Sequence, residues 1–215
     1  MRTPKPGWTG VNLLRWAETA FGRPAAIDTD VNAAAIAESA CAGAPRSLAY
    51  VTCGTGIGVG LVVEGQPLHG MSHPEAGHML PRSHPAHDGF AGCCPYHGDC
   101  YEGLASGPAI IAAWGRPLSQ LPADHPAWEV EAAYLGQLCA ALILTAAPQR
   151  IVMGGGIMQQ QRLYAMIRDH AARNLAGYIA PLDGPQAFDR LIVPPACAEP
   201  SGLVGAYRLA ERAAV

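Results

Sequence analysis

The sequence predicts an α/β fold, because strand-like and helix-like segments alternate along it and no tandem repeat is present. Short runs rich in β-branched residues indicate strands at 47–53, 59–63, 149–153 and 191–193. Alanine- and leucine-rich segments with helical spacing precede or follow these runs. Of the 215 residues, 50% are hydrophobic and 14% are charged, so the chain can bury a sizeable core.

The first predicted elements surround a pair of acidic residues. Residues 24–28 predict a short strand, and the alanine-rich run at 31–38 predicts a helix with Asp30 as its N-cap. The next two strands are separated by the glycine-rich turn at 54–58, which is typical of an antiparallel pair. We therefore expect Asp30 where a strand meets a helix.

The remaining sequence predicts a long loop and then further helices and strands. Residues 69–99 are rich in His, Pro and Gly without periodicity, which is typical of a functional loop that is held in place by a ligand or metal. Apolar residues spaced four apart predict an amphipathic helix over 128–146, which Pro148 ends. A strand then runs into the turn at 154–156, and helices are predicted at 160–174 and 201–212.

Charge and composition argue against several classes of protein. The net charge of -3 is spread without a basic stripe, so nucleic acid is not an expected partner. The amino end does not resemble a signal peptide and no later apolar run is expected to span a bilayer, which predicts a cytoplasmic protein without membrane contact. Three of the seven cysteines lie within 93–100, which favours metal binding in a reducing compartment over a disulfide framework.

The cysteine cluster predicts a metal site. Three ligands at C-x2-H-x2-C spacing and one histidine upstream make a Cys2His2 set suited to tetrahedral zinc: His78, Cys94, His97 and Cys100. Cys93 and His87 are alternative ligands. Four protein ligands leave no open coordination position, so we expect the metal to be structural.

Other segments have both a functional and a purely structural interpretation. The turns at 54–58 and 154–156 can bring backbone N–H groups to a phosphate, or can be ordinary tight turns. Asp30 can be a general base for a hydroxyl group, or can cap its helix. Glu75 and Glu102, on either side of the metal loop, can bind a polyhydroxylated substrate or lie solvated at the surface.

Four segments, taken in order, resemble the ROK family: 28–34, 51–58, 73–78 and 94–108. The Cys-Pro-Tyr-His-Gly-Asp-Cys form of the loop, and the opening residues 3–8, are similar to the family's bacterial fructokinases. The resemblance implies an actin-like, ribonuclease H-related ATPase fold with two lobes over a cleft. It also implies magnesium with ATP, structural zinc and a homodimer.

The resemblance also assigns roles to individual residues. Asp30 matches the catalytic base, which takes the proton of the sugar's 6-hydroxyl as that oxygen attacks the γ-phosphoryl group of ATP. The implied sugar ligands are Thr29, Glu75, His78 and Glu102, with His78 shared between zinc and the sugar. The implied ATP-binding turns are Gly54, Thr55 and Gly56, and Gly154, Gly155 and Gly156.

The same resemblance predicts how the chain is divided. It implies a remnant of the amino-terminal lobe at 1–46, a carboxy-terminal lobe with the zinc loop at 47–195, and a closing helix at 196–215 that packs toward the amino-terminal lobe. Family members carry an Asp-x-Gly-Gly-Thr-Lys hairpin that holds the phosphates of Mg-ATP. Met1 falls beyond the place of that hairpin, so the amino-terminal lobe is expected to be incomplete.

The predicted function is ATP-dependent phosphorylation of D-fructose to fructose 6-phosphate. Two alternatives stay open, namely an inactive sugar-binding protein with zinc and a kinase for another hexose such as mannose or glucose. A ROK transcriptional repressor would carry an amino-terminal helix-turn-helix, and nothing before Asp28 predicts one.

Overall fold

A mixed five-stranded sheet forms the centre of the computed structural model, which describes residue 7 and residues 10–214. Its strands are β1 (Ser47–Cys53), β2 (Ile57–Val63), β3 (Gln66–Pro67), β4 (Arg150–Gly154) and β5 (Ile192–Val193). They lie in the order β3-β2-β1-β4-β5. β1 pairs antiparallel with β2 and parallel with β4. The predicted antiparallel pair is confirmed, with Cys53 opposite Ile57 across the glycine turn. The fructokinase-like residues 3–8 lie, apart from residue 7, outside the described residues.

Helices cover both faces of this sheet. They are α1 (Leu13–Phe21), α2 (Asp30–Cys41), α3 (Tyr101–Ala105), α4 (Gly107–Trp114), α5 (Ala127–Ala146), α6 (Arg162–Leu175), α7 (Pro185–Leu191) and α8 (Ser201–Ala213). Apolar residues of α3 to α7 form one core with one face of the sheet. α2 and Leu209 of α8 form a second, smaller core on the opposite face.

The strands are buried on both faces because each face carries helices. Along β1, Ala49, Val51 and Cys53 belong to the larger core. The intervening Leu48 and Tyr50 belong to the smaller one. This alternation follows from the two-residue period of a strand, and it explains why the strands appear in the sequence as nearly continuous apolar runs.

Helix α5 is the central helix of the larger core. Its predicted span is confirmed, but it is buried on nearly all sides and does not carry a single apolar stripe. Among the described residues, α5 alone is long and apolar enough to cross a membrane by length and composition. This differs from the expectation that no apolar run would reach the length needed to span a bilayer. Of the most apolar 18-residue window of α5, 67% is buried inside the protein, as in the core helix of a globular domain.

The start of α2 differs from the prediction in two ways. The N-cap is Thr29, whose hydroxyl accepts a hydrogen bond from the Asn32 amide at 3.1 Å, so the prediction of Asp30 as N-cap is wrong by one residue. Residues 24–28 form no strand, so that prediction is also wrong. A strand needs a partner for its backbone N–H and C=O groups, and none of the five described strands pairs with residues 24–28.

A disulfide joins the end of α2 to the segment before α8. Cys41 and Cys197, 156 residues apart in sequence, are bonded with their Cα atoms 5.4 Å apart. The expectation that the cysteines would serve metal binding and not disulfides is therefore wrong for this pair. Beside it, the buried carboxylate of Glu38 accepts hydrogen bonds from the Ala196 amide at 2.7 Å and the Ser201 hydroxyl at 2.5 Å. The disulfide and the hydrogen bonds of Glu38 together hold α8 against α2.

Other elements were predicted closely or not at all. The helices predicted at 160–174 and 201–212 are α6 and α8, and the last predicted strand is β5. Helices α1, α3, α4 and α7 were not predicted. α1 has no buried residue, and Trp16 and Phe21 on it are 60% and 69% exposed. The division of the chain into lobes at 46 and 195 stays a prediction.

Candidate active site

Most of the predicted site residues line one cavity of about 420 Å³. It lies where β1 and β4 end, beside the start of α2, and the carboxyl ends of parallel strands are where open α/β sheets bind ligands. The predicted residues that line it are Thr29, Asp30, Gly54, Thr55, Gly56, Glu75, His78, Glu102, Gly155 and Gly156.

Asp30 is presented to this cavity by the first turn of α2. The Thr29 hydroxyl already caps the helix, so the Asp30 carboxylate is not needed for that purpose. One carboxylate oxygen of Asp30 accepts a hydrogen bond from the Val31 amide at 3.0 Å, and the residue is exposed to solvent. The second oxygen is therefore available to accept a proton from a bound hydroxyl group.

A hydrogen-bond network around Asp28 holds the turn that carries Asp30. Oδ1 of Asp28 accepts hydrogen bonds from the Thr29 amide and the Asn32 side chain, both at 2.8 Å, and contacts the His69 ring nitrogen at 3.1 Å. Burial alone would raise the pKa of Asp28, but the hydrogen bonds from Asn32 and His69 outweigh it and lower that pKa below its ordinary value. Asp28 is therefore an anion that fixes the backbone on both sides of Asp30.

Two glycine turns meet at the floor of the cavity. The Gly54 amide donates to the Gly56 carbonyl at 2.9 Å, which closes the turn between β1 and β2. Gly155 has a φ of +92°, and a side chain there would also overlap the Cys53 carbonyl. Gly154, however, is the last residue of β4, packs against the Tyr50 hydroxyl and does not line the cavity.

The acidic residues beside the metal loop are positioned by Ile57, the first residue of β2. Glu102 accepts a hydrogen bond from the Ile57 amide at 3.1 Å. The short 3-10 helix Ala76–His78 follows Glu75 directly, and its Gly77 lies so close to the Ile57 carbonyl that a Cβ atom would overlap it. Both sugar-binding candidates, Glu75 and Glu102, are thus positioned by the backbone of the same residue, Ile57.

The predicted Cys2His2 set forms a compact cluster. The ligand atoms of His78, Cys94, His97 and Cys100 all lie within 4.8 Å of one another. The Nδ1 atom of His78 is 3.7 Å from the sulfur of Cys94 and 3.5 Å from that of Cys100. Tetrahedral zinc would place a thiolate sulfur and an imidazole nitrogen about 3.6 Å apart. The donor set and its spacing therefore fit a four-coordinate metal.

The other ring nitrogen of His78 faces the cavity, because Nε2 lies 4.0 Å from Glu102 Oε1. His78 can thus bind a metal through one nitrogen and a substrate through the other. Burial raises the pKa of the Cys100 thiol to about 11. A compensating positive charge, such as that of a metal ion, would lower this pKa and favour the thiolate.

The two alternative ligands do not belong to the cluster. Cys93 is exposed. His87 is buried, stacks on Trp114 with ring centroids 5.2 Å apart, and lies 3.3 Å from the Tyr134 hydroxyl. Burial lowers the pKa of His87, so its ring is neutral and serves to anchor the loop to α5 through Tyr134.

The cavity has an acidic lining. Asp30, Glu75 and Glu102 contribute carboxylates, and no Lys or Arg of the described residues lines it. A polyphosphate bound here would depend on backbone N–H groups and on its own divalent cation for charge compensation. The carboxylates suit hydroxyl groups, which donate hydrogen bonds to them.

Sequence reasoning missed two polar side chains of the cavity, Thr52 and His73. His73 contacts a predicted sugar ligand. Its Nε2 atom lies 2.7 Å from Oε1 of Glu75, and its side chain is 15% exposed. His73 belongs to the segment 73–78 that carries the family resemblance, so the motif contained it. The contact with Glu75 depends on the path of the loop and is not visible in the sequence.

Comparison with known proteins first defines the class. The chain is similar to the ROK hexokinase from Thermus thermophilus, with a TM-score of 0.73, 28% identity, and coverage of 90% of this chain and 67% of that one. The fold is accordingly the actin-like ATPase fold of ROK kinases, as predicted.

The family follows from sequence similarity. The ROK family profile matches residues 1–213. The fructokinase of Zymomonas mobilis is 44% identical over 213 residues, which cover 97% of this chain and 69% of that protein. The fructokinase of Pediococcus pentosaceus is 39% identical over 216 residues, covering 98% and 72%. The chain belongs to the ROK family, and the predicted resemblance is confirmed.

Proposed function

We propose that this chain is a hexose kinase that transfers the γ-phosphoryl group of ATP to the 6-hydroxyl of D-fructose. The observation that carries the proposal is the single cavity in which Asp30, the glycine turns and the candidate sugar ligands meet. The relatives named fructokinase, at 39% to 44% identity over nearly the whole chain, support fructose as the substrate.

In this mechanism Asp30 is the general base. Its carboxylate takes the proton of the 6-hydroxyl while that oxygen forms a bond to the γ-phosphorus, and the bond from phosphorus to the β-γ bridging oxygen breaks to release ADP. Glu75, His78 and Glu102 hold the other hydroxyl groups through hydrogen bonds. Thr29 lines the same cavity, and its hydroxyl oxygen caps α2 while its hydrogen remains free to donate to the sugar.

The phosphates of ATP are assigned to the two glycine turns. Thr55, Gly56, Gly155 and Gly156 line the floor of the cavity, where their backbone N–H groups can bind phosphate oxygens, whereas the N–H of Gly54 closes its turn on the Gly56 carbonyl. Magnesium bound to ATP supplies positive charge that offsets the charge of the phosphates, and the acidic lining favours such a cation. The Cys2His2 cluster is proposed to hold structural zinc, which fixes the loop and the tautomer of His78.

Assembly and location stay predictions from the family resemblance. They comprise a homodimer in the cytoplasm that contacts neither nucleic acid nor a membrane. Sedimentation of the purified protein at micromolar concentration measures the oligomeric state directly.

The test is ATP-dependent phosphorylation of fructose, compared with glucose and mannose, for the wild-type chain and for Asp30→Asn. Asparagine keeps the oxygen that accepts from Val31 but cannot take a proton, so we expect kcat to fall by about 10²- to 10⁴-fold. Asp124→Asn, an exposed aspartate outside the cavity, is the matched control and keeps full activity.

Each outcome separates the alternatives. Turnover of fructose that is lost in Asp30→Asn supports the proposed kinase. Fructose binding without turnover in the wild type supports the inactive sugar-binding alternative, and a higher kcat/KM for glucose or mannose supports a kinase for another hexose.

A further inference from the structure

The segment between β3 and the 3-10 helix makes two contacts between an imidazole and a carboxylate. His69 contacts Asp28 behind the catalytic turn, at 3.1 Å. His73 contacts Glu75 inside the cavity, at 2.7 Å. The first contact belongs to the network that holds Asp30. The second has no role in the function proposed above, although it lies among the candidate sugar ligands.

The direction of this second hydrogen bond is fixed by chemistry. A carboxylate only accepts, so Nε2–H of His73 donates to Oε1 of Glu75. The His73 side chain is 15% exposed and that of Glu75 is 57% exposed. The imidazole is therefore the confined partner, and the carboxylate is the group presented to the cavity.

No other side chain of the described residues holds Glu75. Its backbone is constrained, because Pro74 precedes it and the packing of Gly77 against the Ile57 carbonyl follows it. These constraints do not restrict the side-chain torsions of Glu75, and a half-exposed glutamate normally samples several rotamers. The hydrogen bond from His73 selects among them and leaves Oε2 available for a ligand.

We propose that His73 is a positioning residue that gives the site its preference for one hexose. By fixing Oε1 of Glu75, it aims Oε2 at a single hydroxyl group of the ketohexose. A sugar that places this hydroxyl elsewhere leaves the carboxylate without a well-aligned hydrogen bond. Because a fixed carboxylate cannot move to follow the hydroxyl, the affinity for such a sugar falls more than it would with a mobile carboxylate. The inference rests on the proposed function, since it assigns Glu75 to the sugar.

The test uses steady-state kinetics and calorimetric sugar binding with fructose, mannose and glucose. We expect His73→Ala to raise KM for fructose about tenfold or more, with kcat changed less than about threefold. The ratio of kcat/KM for fructose to that for mannose should fall by a similar factor. His73→Gln, whose amide can donate to the same oxygen, should recover part of this loss.

A double-mutant cycle separates positioning from a general structural effect. If His73 acts only through Glu75, then His73→Ala has no further effect on the KM for fructose in the Glu75→Ala background, in which the acceptor of its hydrogen bond is absent. His125→Gln is the matched control, because that imidazole accepts from the Ala127 amide outside the cavity. It should change neither KM nor the sugar preference.

The results distinguish this inference from the proposed function. If the wild type phosphorylates fructose and His73→Ala keeps both KM and preference, the inference is wrong and the kinase assignment stands. Additive effects of His73→Ala and Glu75→Ala also overturn it. If the wild type turns over no sugar, the proposed kinase is wrong, and calorimetry decides the inference: weakened fructose binding in His73→Ala supports it, and unchanged or absent binding refutes it.

Discussion

Replacing Glu38 by alanine tests how α8 is held on α2. The Glu38 carboxylate is fully buried and accepts from the Ala196 amide and the Ser201 hydroxyl. Its removal leaves the buried Ser201 hydroxyl without a partner, at about 1–3 kcal/mol, loses the hydrogen bond from the exposed residue Ala196, at about 1 kcal/mol, and adds a cavity. We therefore expect a loss of about 3–5 kcal/mol in the free energy of unfolding. For a chain of this length that corresponds to a fall in Tm of roughly 6–20 °C.

The assay is urea unfolding followed by circular dichroism, with the Cys41–Cys197 disulfide kept intact in every variant. Ser201→Ala alone should cost about 1–3 kcal/mol, and much less in the Glu38→Ala background, because the two residues share one hydrogen bond. Glu211→Ala, which breaks only an exposed ion pair with Arg208, is the control and should cost less than about 1 kcal/mol. A cost below 1 kcal/mol for Glu38→Ala would refute the reasoning.

Three further predictions concern the metal, a buried acid and a tight contact. The purified protein should contain one zinc ion per chain by elemental analysis, and Cys100→Ser should lose it and lower Tm. Burial raises the pKa of Glu131 well above its ordinary value, so the folded state binds this proton more tightly and stability falls as pH rises above about 4.5. Glu131→Gln should therefore raise Tm more at pH 7 than at pH 4. Gly77→Ala should cost about 1–3 kcal/mol and weaken fructose binding, because its methyl group overlaps the Ile57 carbonyl.

Each of these predictions has a matched control. Cys93→Ser changes an exposed thiol outside the cluster and should keep the zinc, whereas zinc loss in this variant would contradict the ligand assignment. An equal change in Tm at both pH values would contradict the titration of Glu131. Gly70→Ala adds a methyl group where there is space and φ is not positive, and it should leave unfolding and sugar binding unchanged.

The parts of the fold that were predicted are those whose signal is local. The β-branched runs and the glycine turn at 54–58 specify β1 and β2 without reference to the rest of the chain. The run at 24–28, which has one β-branched residue, Ile27, was also predicted as a strand but forms none among the described residues. Strand formation depends on a neighbour, and the sequence of one segment does not report whether that neighbour is there.

The errors at the site have equally specific causes. Thr29 and Asp30 are both favourable N-caps, so composition alone did not decide which of them caps the start of α2. The Cys41–Cys197 disulfide joins residues 156 positions apart, a distance over which spacing carries no pairing information. The contact of His73 with Glu75 spans only two residues, but it depends on how the loop turns around Pro74.

The shared attachment at Ile57 has a consequence for the evolution of substrate choice. The backbone of Ile57 borders the turn assigned to the nucleotide, donates to Glu102 through its N–H, and supports the backbone after Glu75 through its C=O. A mutation that moves the backbone of Ile57 therefore shifts the positions of the nucleotide and of the sugar together. Sugar preference in such a fold is therefore changed more easily by substitutions of loop side chains distant from Ile57 than by substitutions that alter the contact between the loop and β2.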